Sequence, residues 1–531
     1  MPAWVVSARE SAERDRAAIE RGTPSRLLMQ RAGIAAAGEI SRRYPEQLKS
    51  GAIVFTGPGN NGGDGWVVAG TLARSGVEVT VVEVGKPTPS KSPDALAERE
   101  TARDSVKVVD SLDGASRFPL PPSPFPHASL VIDALLGTGF EGEPRGKIGA
   151  AITTINELRT NGARVAALDV PSGLDATTGE HSNCVVADIT LSFGGVKRGL
   201  LLARDCSGRI VALDIGLDDP RPMGVSKSAT PDLTLPQLID AEWVGSRIPP
   251  IRFDAHKGIR KHLALVGGGK GMPGAVVLAA RAALRSGIGL LRILTAPENV
   301  SAVLSAVPSA LISEWPSTDN HIEDDLSKWA DAIVIGPGLG KPKETRALVE
   351  RILADSSTPV VLDADALNVF EGDRAALATL LNRRPALITP HPAEFARLAG
   401  IDVKAVLAAR FDIGLDLARE LEASVLLKGA PTVVFDPSGE RYVIARGTAA
   451  LGTGGSGDML DGIAGTILAQ AREATIAGCC AAWAHGRAAE FCEYVRGTSL
   501  DDILYALPRA WNEIEPPAER PVLAELPAVA R

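Results

Sequence analysis

The chain has 531 residues, of which 45% are hydrophobic and 23% are charged, with a net charge of −8 and an isoelectric point of about 5.6. This length exceeds one ordinary hydrophobic core, so it predicts two domains and leaves three as an alternative. The acidic balance and the 4% aromatic content argue against a nucleic-acid-binding protein, which would present a basic face.

The cysteines and the apolar runs indicate a soluble, cytoplasmic protein. There are five cysteines, an odd number, and they form no CxxC pair. This usage favours reduced thiols over a disulfide framework or a zinc site. The first residues are charged and lack the apolar core of a signal peptide. Because there is no run of about 18 apolar residues, we expect no membrane span.

The first half of the chain predicts strands that alternate with helices. Short runs rich in Val and Ile alternate with Ala-, Leu- and Arg-rich stretches of helical period. Several strands are apolar throughout, which is typical of a parallel sheet covered on both faces. The predicted strands are 52–56, 77–84, 130–133, 164–169, 187–193 and 209–215.

A Pro-rich surface segment at 118–127 and a linker rich in Pro, Asp and Ser at 218–237 interrupt the pattern, which then resumes. Further strands are predicted at 262–266, 290–294, 332–335, 359–362, 386–389, 424–427 and 432–435, and helices at about 456–470, 473–495 and 499–513. We therefore expect a first domain at 1–220, a linker at 221–250, a second domain at 251–515 and a frayed tail at 516–531.

Loops rich in Gly and Asp follow the predicted strands, where open parallel sheets bind ligands. Asp133 and Asp169 each end a strand, and we expect Asn61 and Ser172 in the same crevice. Such an oxygen-rich pocket suits hard cations such as potassium, calcium or magnesium. Capping of a helix by the two aspartates is the alternative.

Four motifs in chain order, GPGNNGGDG, DALLGTGFEGEPRG, LDVPSGLDATTG and DITLSFGGVKRGL, resemble the NAD(P)H-hydrate epimerase family over about residues 1–220. The resemblance implies a Rossmann-like three-layer α/β/α domain that interconverts the R and S hydrates of NADH and NADPH. It implies a K⁺ site at Asn61, Asp133 and Ser172. The implied substrate-binding residues are Asn60, Asn61, Gly62, Gly63, Asp64, Gly137, Thr138, Gly139, Phe140, Glu141, Gly142, Glu143 and Asp169.

The chemistry of epimerisation needs the C–O bond at C6 of the nicotinamide ring to open and close, with a nearby carboxylate moving the proton. We assign this catalytic role to Asp169 as a hypothesis. Lys197 is an alternative electrostatic partner, although a solvated surface lysine is an equally good interpretation.

The stretch GTGGSGD at 452–458 places glycines directly before a predicted helix and an acid in its first turn. Glycine lets the main chain approach a ligand closely, and a helix N-terminus attracts anions. The pattern favours a phosphate or oxyanion cradle over a plain loop in which Asp458 caps the helix.

Six motifs between 256 and 465 resemble NAD(P)H-hydrate dehydratase, a branch of the ribokinase-like α/β/α fold. They are HKGIRKHLALVGGGKGMPGAVVLAARAALRSGIGL, IGPGLG, VLDADALN, ITPHPAEFARL, LLKGAPTVV and GTGGSGDMLDGIAG. The resemblance implies an anion hole at Gly454, Gly455, Ser456 and Gly457, and Asp458 as the catalytic base. It implies hydrate binding by Ala275, Gly338, His391 and Asp458, and binding of ADP with Mg²⁺ by Lys428, Gly429, Ala430, Pro431, Thr432 and Gly457.

Two assignments in this half stay open. His391 lies between two prolines and is either a substrate contact or a structural histidine bonded to backbone. Asp363 and Asp365 either hold a metal–phosphate complex or cap a short helix.

The interpretation that joins both halves is a bifunctional repair enzyme. Its isomerase domain supplies the S hydrate, and its lyase domain dehydrates it while ADP is split to AMP and phosphate. A ribokinase-type small-molecule kinase and a nucleotide-sensing scaffold are the alternatives. The fused arrangement looks bacterial, which favours ADP over ATP as donor. The expected partners are these small molecules alone, without nucleic acid or membrane, and a homo-oligomer is left open.

Overall fold

The computed structural model describes residues 2–109, 130–217, 235–315, 322–340, 343–354, 357–512 and 519–529. These residues form two compact units, one built from 2–217 with 519–529 and the other from 235–512. The Pro-rich segment at 118–127 and the linker residues 221–234 lie outside the described residues.

The first unit is built on a sheet of eight strands, and the six predicted strands are all present in it. In spatial order the strands are Val522–Leu526, Arg209–Leu213, Ile189–Phe193, Arg164–Leu168, Leu130–Ala134, Ala52–Thr56, Val79–Glu83 and Lys107–Val109. Each neighbouring pair is parallel except the first, in which Val522–Leu526 runs antiparallel to Arg209–Leu213. A separate parallel pair, Val5–Val6 with Val196–Lys197, was not predicted.

Helices cover both faces of this sheet, as the apolar strands predicted. Along one strand, Val54 packs into the core that contains Trp66, while Phe55 packs into the core that contains Ile152. Because successive side chains of a strand point to opposite faces, the two cores lie on the two sides of the sheet. The helices are Ala8–Glu20, Ser25–Arg43, Pro45–Leu48, Asn60–Arg74, Pro93–Ala102, Gly146–Thr160, Arg198–Leu202 and Arg204–Ser207.

The second unit is built on a ten-stranded sheet that contains all seven predicted strands. In spatial order these are Gln237–Leu238, Arg441–Ile444, Thr432–Phe435, Ser424–Leu427, Ala386–Ile388, Val360–Leu362, Ala332–Ile335, His262–Val266, Leu290–Thr295 and Leu311–Glu314. Only Thr432–Phe435 runs antiparallel to its neighbours. The mixed α/β class with a mainly parallel sheet in each unit is therefore confirmed.

The three long C-terminal helices that the sequence predicted are present as Ser456–Ala471, Ala474–Glu490 and Leu500–Asn512. The first two are buried along most of their length, which agrees with their apolar composition. The other helices of this unit are Ala241–Gly245, Pro273–Arg285, Val300–Ala306, Ile322–Trp329, Lys343–Ala354, Asp365–Asn368, Arg374–Leu381, Pro392–Ala399, Val403–Ala408 and Leu415–Leu421. No helix in the described part of the chain has the length and apolar character needed to span a bilayer.

Two expectations about connecting segments are wrong. The segment at 237–245, expected in the linker, supplies an edge strand in which Leu238 pairs with Val443, and a short helix with a buried Trp243. Part of the expected frayed tail, Val522–Leu526, is an edge strand of the first unit. Glu525 of this strand accepts hydrogen bonds from Arg43 and Arg209, and such long-range partners cannot be read from local composition.

Candidate active sites

The first unit contains a cleft of about 560 Å³ at the carboxyl ends of its parallel strands. The loop after Ala52–Thr56, the loop after Leu130–Ala134 and Asp169 at the end of the next strand line it, as the sequence predicted. Of the predicted substrate-binding residues, the cleft is lined by Asn60, Asn61, Asp64, Gly137, Thr138, Gly139, Phe140 and Asp169. The structure thus brings loops from three strand ends together around one cavity.

Five predicted residues do not line the cleft. Gly62 and Gly63 are buried in the helix Asn60–Arg74, where a Cβ at Gly62 would lie 2.0 Å from the Gly57 carbonyl oxygen. Their role in the described structure is close packing, because only glycine leaves room for that contact. The other three, Glu141, Gly142 and Glu143, are exposed beyond the cleft.

Asp169 is held in place by a buried lysine. Its Oδ1 accepts hydrogen bonds from the Lys197 ammonium and from the Phe193 N–H at 3.0 Å. Lys197 is 1% exposed and also donates to the Phe193 carbonyl oxygen at 2.7 Å, so the interpretation as a solvated surface lysine is wrong. The Asp169 backbone has a φ of 63°, which is uncommon for a non-glycine residue and concentrates at functional sites.

Two further acids share this cleft. Burial raises the pKa of Asp64 well above its ordinary value, and the negative charge of Asp169 raises it further. Burial likewise raises the pKa of Asp15, against the opposing effect of Lys197. Asp15 was not predicted because it lies in the helix Ala8–Glu20, where an acid in a charged stretch reads as a solvated face. The cleft therefore combines two acids whose pKa is raised with a carboxylate that is paired with a lysine.

Asp133, Ser172 and Asn61 lie together beside the cleft, as the implied potassium site requires. Asp133 is fully buried and accepts hydrogen bonds from the Ser172 hydroxyl at 2.6 Å, the Ser172 N–H at 2.8 Å and the Leu135 N–H at 3.2 Å. Burial raises the pKa of Asp133 to about 6, although these hydrogen bonds lower it. Asn61 donates to the Leu136 carbonyl oxygen, and its buried Oδ1 has no partner among the described residues. The capping interpretation of Asp133 and Asp169 is wrong, because neither side chain caps a helix.

In the second unit, Asp458 lies in the first turn of the helix Ser456–Ala471, directly after the glycine loop. Gly455, the residue directly before that helix, has a φ of 94°, a conformation that favours glycine. The pKa of Asp458 is raised to about 6. Burial is the main cause, the negative charge of Asp363 adds to it, and the positive charge of Lys428 opposes it. Asp458 makes no hydrogen bond or ion pair within the described ranges. A carboxylate with this pKa is well matched to accept a proton near neutral pH.

Lys428 and Asp363 form an ion pair beside Asp458. The Lys428 ammonium lies 2.8 Å from each carboxylate oxygen of Asp363, which is 2% exposed. Burial lowers the pKa of Lys428, but the carboxylates of Asp363, Asp461 and Glu394 raise it by more, so the lysine stays charged. A Cβ at Gly457 would lie 3.3 Å from this ammonium nitrogen, so the ion pair lies against the glycine turn.

Other predicted residues of this unit pack closely in and beside its loops. Gly338 lies against Ala275, since a Cβ at Gly338 would come within 2.9 Å of the Ala275 Cβ. Asp365 accepts a hydrogen bond from the Gly340 N–H at 2.7 Å and therefore fixes the GPGLG loop. Neither Asp363 nor Asp365 caps the helix Asp365–Asn368, so the capping interpretation of these side chains is wrong.

The predicted nucleotide loop, 428–432, is fixed by a residue that the sequence did not reveal. Arg410 is buried and donates to the carbonyl oxygens of Lys428 at 3.3 Å and Pro431 at 3.0 Å. It fills the space above Gly429, where a Cβ would clash with the guanidinium at 2.3 Å. Gly429 and Ala430 remain exposed, so the loop can meet a ligand.

His391 has the structural role that was left open. It caps the helix Pro392–Ala399, and its Nδ1 accepts from the N–H groups of Ala393 at 3.1 Å and Glu394 at 3.3 Å. Since Nδ1 accepts, the proton of the neutral ring is on Nε2, at an exposed position. Burial lowers the pKa of His391, which keeps the ring neutral near pH 7.

Asp461, one helical turn after Asp458, is a buried acid that sequence reasoning missed. It is 0% exposed, and its Oδ1 accepts from the Thr389 hydroxyl at 3.1 Å. Burial raises the pKa of Asp461 well above its ordinary value, and Asp363 raises it further. The i, i+3 spacing within GDMLDG, which places both acids on one helix face, was the available signal.

Comparison with known proteins covers both units. Residues 25–199 match the family described as YjeF-related protein N-terminus, and residues 263–509 match the family described as NAD(P)H-hydrate dehydratase. The chain is 34% identical to the bifunctional NAD(P)H-hydrate repair enzyme of Moorella thermoacetica, over 98% of this chain and 99% of that one. It is 35% identical to the Escherichia coli enzyme of the same name, over 91% and 89%.

Other matches broaden this comparison. The bifunctional NAD(P)H-hydrate repair enzyme of Leishmania infantum is 34% identical, over 93% of this chain and 91% of that one. Among solved structures, the ADP/ATP-dependent NAD(P)H-hydrate dehydratase of Bacillus subtilis, co-crystallised with ATP and Mg²⁺, is 30% identical with a TM-score of 0.46, and covers 51% of this chain and 95% of its own. The sequence relatives share one name, and each is about a third identical to this chain over nearly its full length. This chain therefore belongs to the family of bifunctional NAD(P)H-hydrate repair enzymes.

Proposed function

We propose that the first unit epimerises hydrated NADH and NADPH at Asp169, and that the second unit dehydrates the S hydrate at Asp458 with ADP as phosphoryl donor. The observation that supports this best is common to both units. Each has a Lys–Asp ion pair at the carboxyl edge of a parallel sheet, where such sheets bind ligands. The proposed base is a member of this pair in the first unit and a neighbour of it in the second.

In the first unit, Asp64 and Asp169 line the same cleft and can divide the acid and base roles of epimerisation between them. Burial raises the pKa of Asp64, which favours its protonated form, and Asp64 gives this proton to the departing hydroxyl at C6. The lone pair of the ring nitrogen assists as the C6–O bond breaks. Water then adds to the other face of C6, and Asp169, oriented by Lys197, takes the proton of that water. One C–O bond breaks and one forms, so only the configuration changes.

A potassium ion fits the residues beside the cleft. The buried Oδ1 of Asn61 has no partner among the described residues, and the buried carboxylate of Asp133 has its pKa raised to about 6. A cation would give the Asn61 Oδ1 a partner and would stabilise the charged carboxylate of Asp133. Potassium prefers oxygen ligands of this kind. Asn61, Asp133 and Ser172 would hold K⁺, which supplies positive charge next to the loops that bind the hydrate.

In the second unit, Asp458 removes the proton of the C6 hydroxyl, whose oxygen attacks the terminal phosphorus of ADP and releases AMP. Phosphoryl transfer depends on positioning and charge stabilisation. The N–H groups at the start of the helix, at 454–457, face the transferring group, although the Ser456 N–H already donates to the Thr453 carbonyl oxygen. Phosphate then leaves C6 as the ring nitrogen donates its lone pair and C5 loses a proton.

Mg²⁺ that arrives with a nucleotide needs only one or two protein carboxylates. Both oxygens of Asp363 contact Lys428, and Asp458 is assigned to proton transfer, which leaves Asp365 as the carboxylate that would meet the ion. Mg²⁺ would neutralise phosphate charge there. The choice of ADP is not decided by domain fusion, because the fused arrangement also occurs in Leishmania infantum, a eukaryote.

The test supplies a mixture of both hydrate epimers, with ADP or ATP, and follows the return of NADH absorbance. We expect full conversion by the wild type, a stop near the S share with Asp169→Asn, and no conversion with Asp458→Asn. The rate of spontaneous epimerisation, measured without protein, is subtracted. Accumulation of a stable phosphorylated product would instead identify a small-molecule kinase, and no turnover at all would contradict both activities.

A further inference from the structure

A cluster of two thiols and an imidazole lies in the first unit, apart from the cleft. It consists of His181, Cys184 and Cys206, whose ligand atoms all lie within 4.8 Å of one another. Cys184 and Cys206 are buried, and His181 is exposed at the surface. We propose that this cluster, called here the thiol–imidazole site, binds one Zn²⁺ ion.

The ligand types and the orientation of the imidazole favour zinc. Thiolate sulfur and imidazole nitrogen are its preferred ligands. The Nδ1 of His181 lies 2.9 Å from the Gly179 carbonyl oxygen, which can only accept, so Nδ1 carries the proton. The lone pair of Nε2 therefore points toward Cys206, whose Sγ lies 3.4 Å away. This hydrogen bond from the far nitrogen to a backbone carbonyl is the usual support of a zinc-bound histidine.

The distances agree with zinc at one pair of ligands and need a small adjustment at the other. For tetrahedral Zn²⁺ with bonds of about 2.3 Å to sulfur and 2.0 Å to nitrogen, a sulfur and a nitrogen ligand stand about 3.5 Å apart and two sulfurs about 3.8 Å apart. The Cys206–His181 separation already fits. The two sulfurs lie 2.9 Å apart and would have to separate by about 0.9 Å.

A disulfide between Cys184 and Cys206 is the alternative to zinc, but it does not account for the orientation of His181. It would bring the two sulfurs to about 2.05 Å, a movement of similar size in the opposite direction. It would leave the oriented Nε2 of His181 without a role. Zinc uses all three side chains, displaces the protons of the two thiols and leaves its fourth position to water.

The backbone around the cluster is already fixed. The Ala187 N–H donates to the Cys206 carbonyl oxygen at 2.9 Å, which joins the segment after Cys184 to the short helix Arg204–Ser207. Asn156 donates to the Cys184 carbonyl oxygen at 2.9 Å and accepts from the Val186 N–H at 2.9 Å. Little backbone ordering is therefore left for the metal to impose.

The same segment is joined to the candidate potassium site. The Val185 N–H donates to the Ser172 carbonyl oxygen at 2.9 Å, and a Cβ at Gly173 would clash with the Asn183 carbonyl oxygen at 2.2 Å. An ion held by Cys184 and Cys206 would thus fix the segment that supports Ser172. In this proposal the ion supports the fold of that segment, whereas the sequence-based expectation was that the cysteines form no zinc site.

The test uses the full-length chain without a histidine tag, purified under reducing conditions and stripped with a chelator. Co²⁺ is titrated in as a spectroscopic probe, and Zn²⁺ is then added as competitor. We expect one equivalent of Co²⁺ to produce a thiolate-to-cobalt charge-transfer band that Zn²⁺ removes. Cys206→Ala should abolish the band. His181→Ala, at an exposed position that should not disturb folding, should weaken Zn²⁺ binding by at least about tenfold.

The matched control is Cys492→Ala, which removes a half-buried cysteine outside the cluster and should leave the band and the affinity unchanged. The proposal is overturned if the reduced wild type gives no thiolate-to-cobalt band, or if His181→Ala binds Zn²⁺ as tightly as the wild type. It is also overturned if protein purified separately without reductant, then denatured and alkylated, is labelled at only three of the five cysteines, with Cys184 and Cys206 joined by a disulfide.

Discussion

The two units differ in how a buried lysine is placed relative to the carboxylate that we propose as the base. Each has a lysine that pairs with an aspartate at the carboxyl edge of its sheet, Lys197 with Asp169 and Lys428 with Asp363. In the first unit the lysine contacts the carboxylate that we assign to proton transfer. In the second it contacts a neighbouring aspartate, while Asp458 has no such partner among the described residues and has a pKa of about 6.

This difference separates two uses of a buried ion pair. In the first unit the pair orients the base that we propose, and the acids in the cleft whose pKa is raised are Asp15 and Asp64. In the second unit the pair supplies positive charge next to the glycine turn, and the base itself has the raised pKa. Epimerisation needs an acid and a base of moderate strength, whereas phosphoryl transfer needs charge stabilisation and one base.

The largest effect is expected for Asp458→Asn. The amide cannot accept the hydroxyl proton, so kcat for dehydration should fall by about 10³-fold. Conversion of the S hydrate with ADP, followed by NADH absorbance, measures this. Thr453→Ser, which alters the same loop without removing a carboxylate, is the matched control. A loss of less than tenfold would exclude Asp458 as the base.

Asp169→Asn should lower the epimerisation rate by about 10²-fold, because it removes the proton acceptor while the amide can still fill the space. Exchange between the two hydrate epimers, followed by chromatography without nucleotide, measures it. Asp104→Asn, the same change at an exposed position outside the cleft, is the control. Since the two sites lie in different units, dehydration of pure S hydrate should not change, and a matching loss there would point to misfolding instead.

The pH dependence of dehydration should change when Lys428 is replaced and should not change when Lys197 is replaced. Asp458 acts as a base only when deprotonated, so kcat for dehydration should fall by about tenfold per unit as the pH drops below about 6. Lys428 lowers the pKa of Asp458, so Lys428→Met should move this midpoint to higher pH. Lys197→Met, in the other unit, should leave the midpoint where it is. An unmoved midpoint in Lys428→Met would show that the two groups do not interact.

Much of both sites could be predicted because it depends on local pattern. Strand ends followed by Gly- and Asp-rich loops identify Asn61, Asp133 and Asp169, since parallel strands bring their carboxyl ends to one edge. The glycine run directly before a helix identifies Asp458. The residues that were missed depend on tertiary neighbours. Arg410 is distant in sequence from the loop that it fixes, and Asp15 belongs to a helix whose partners no local pattern specifies.

The C-terminal strand was missed because it also depends on tertiary neighbours. Its removal is expected to have the smallest effect of the changes considered. Val522–Leu526 buries Ala524 and Leu526, and its Glu525 pairs with Arg43 and Arg209. A chain that ends at residue 512 should lose about 3 kcal/mol from the first unit, which lowers its unfolding midpoint by about 6–12 °C. The midpoint of the second unit should not change, because the strand adds to the sheet of the first unit alone.

Differential scanning calorimetry of the full-length and shortened chains measures the two midpoints separately. Glu525→Gln keeps the strand and removes only the charge, so it should reproduce a small part of the shift. The hydrogen bonds from Arg43 and Arg209 hold the pKa of Glu525 at about 2, below its unfolded value. This contribution is therefore fully present above the unfolded pKa of about 4.3 and is lost as the pH falls toward 2. If shortening lowered the second midpoint instead, the assignment of this strand to the first unit would be wrong.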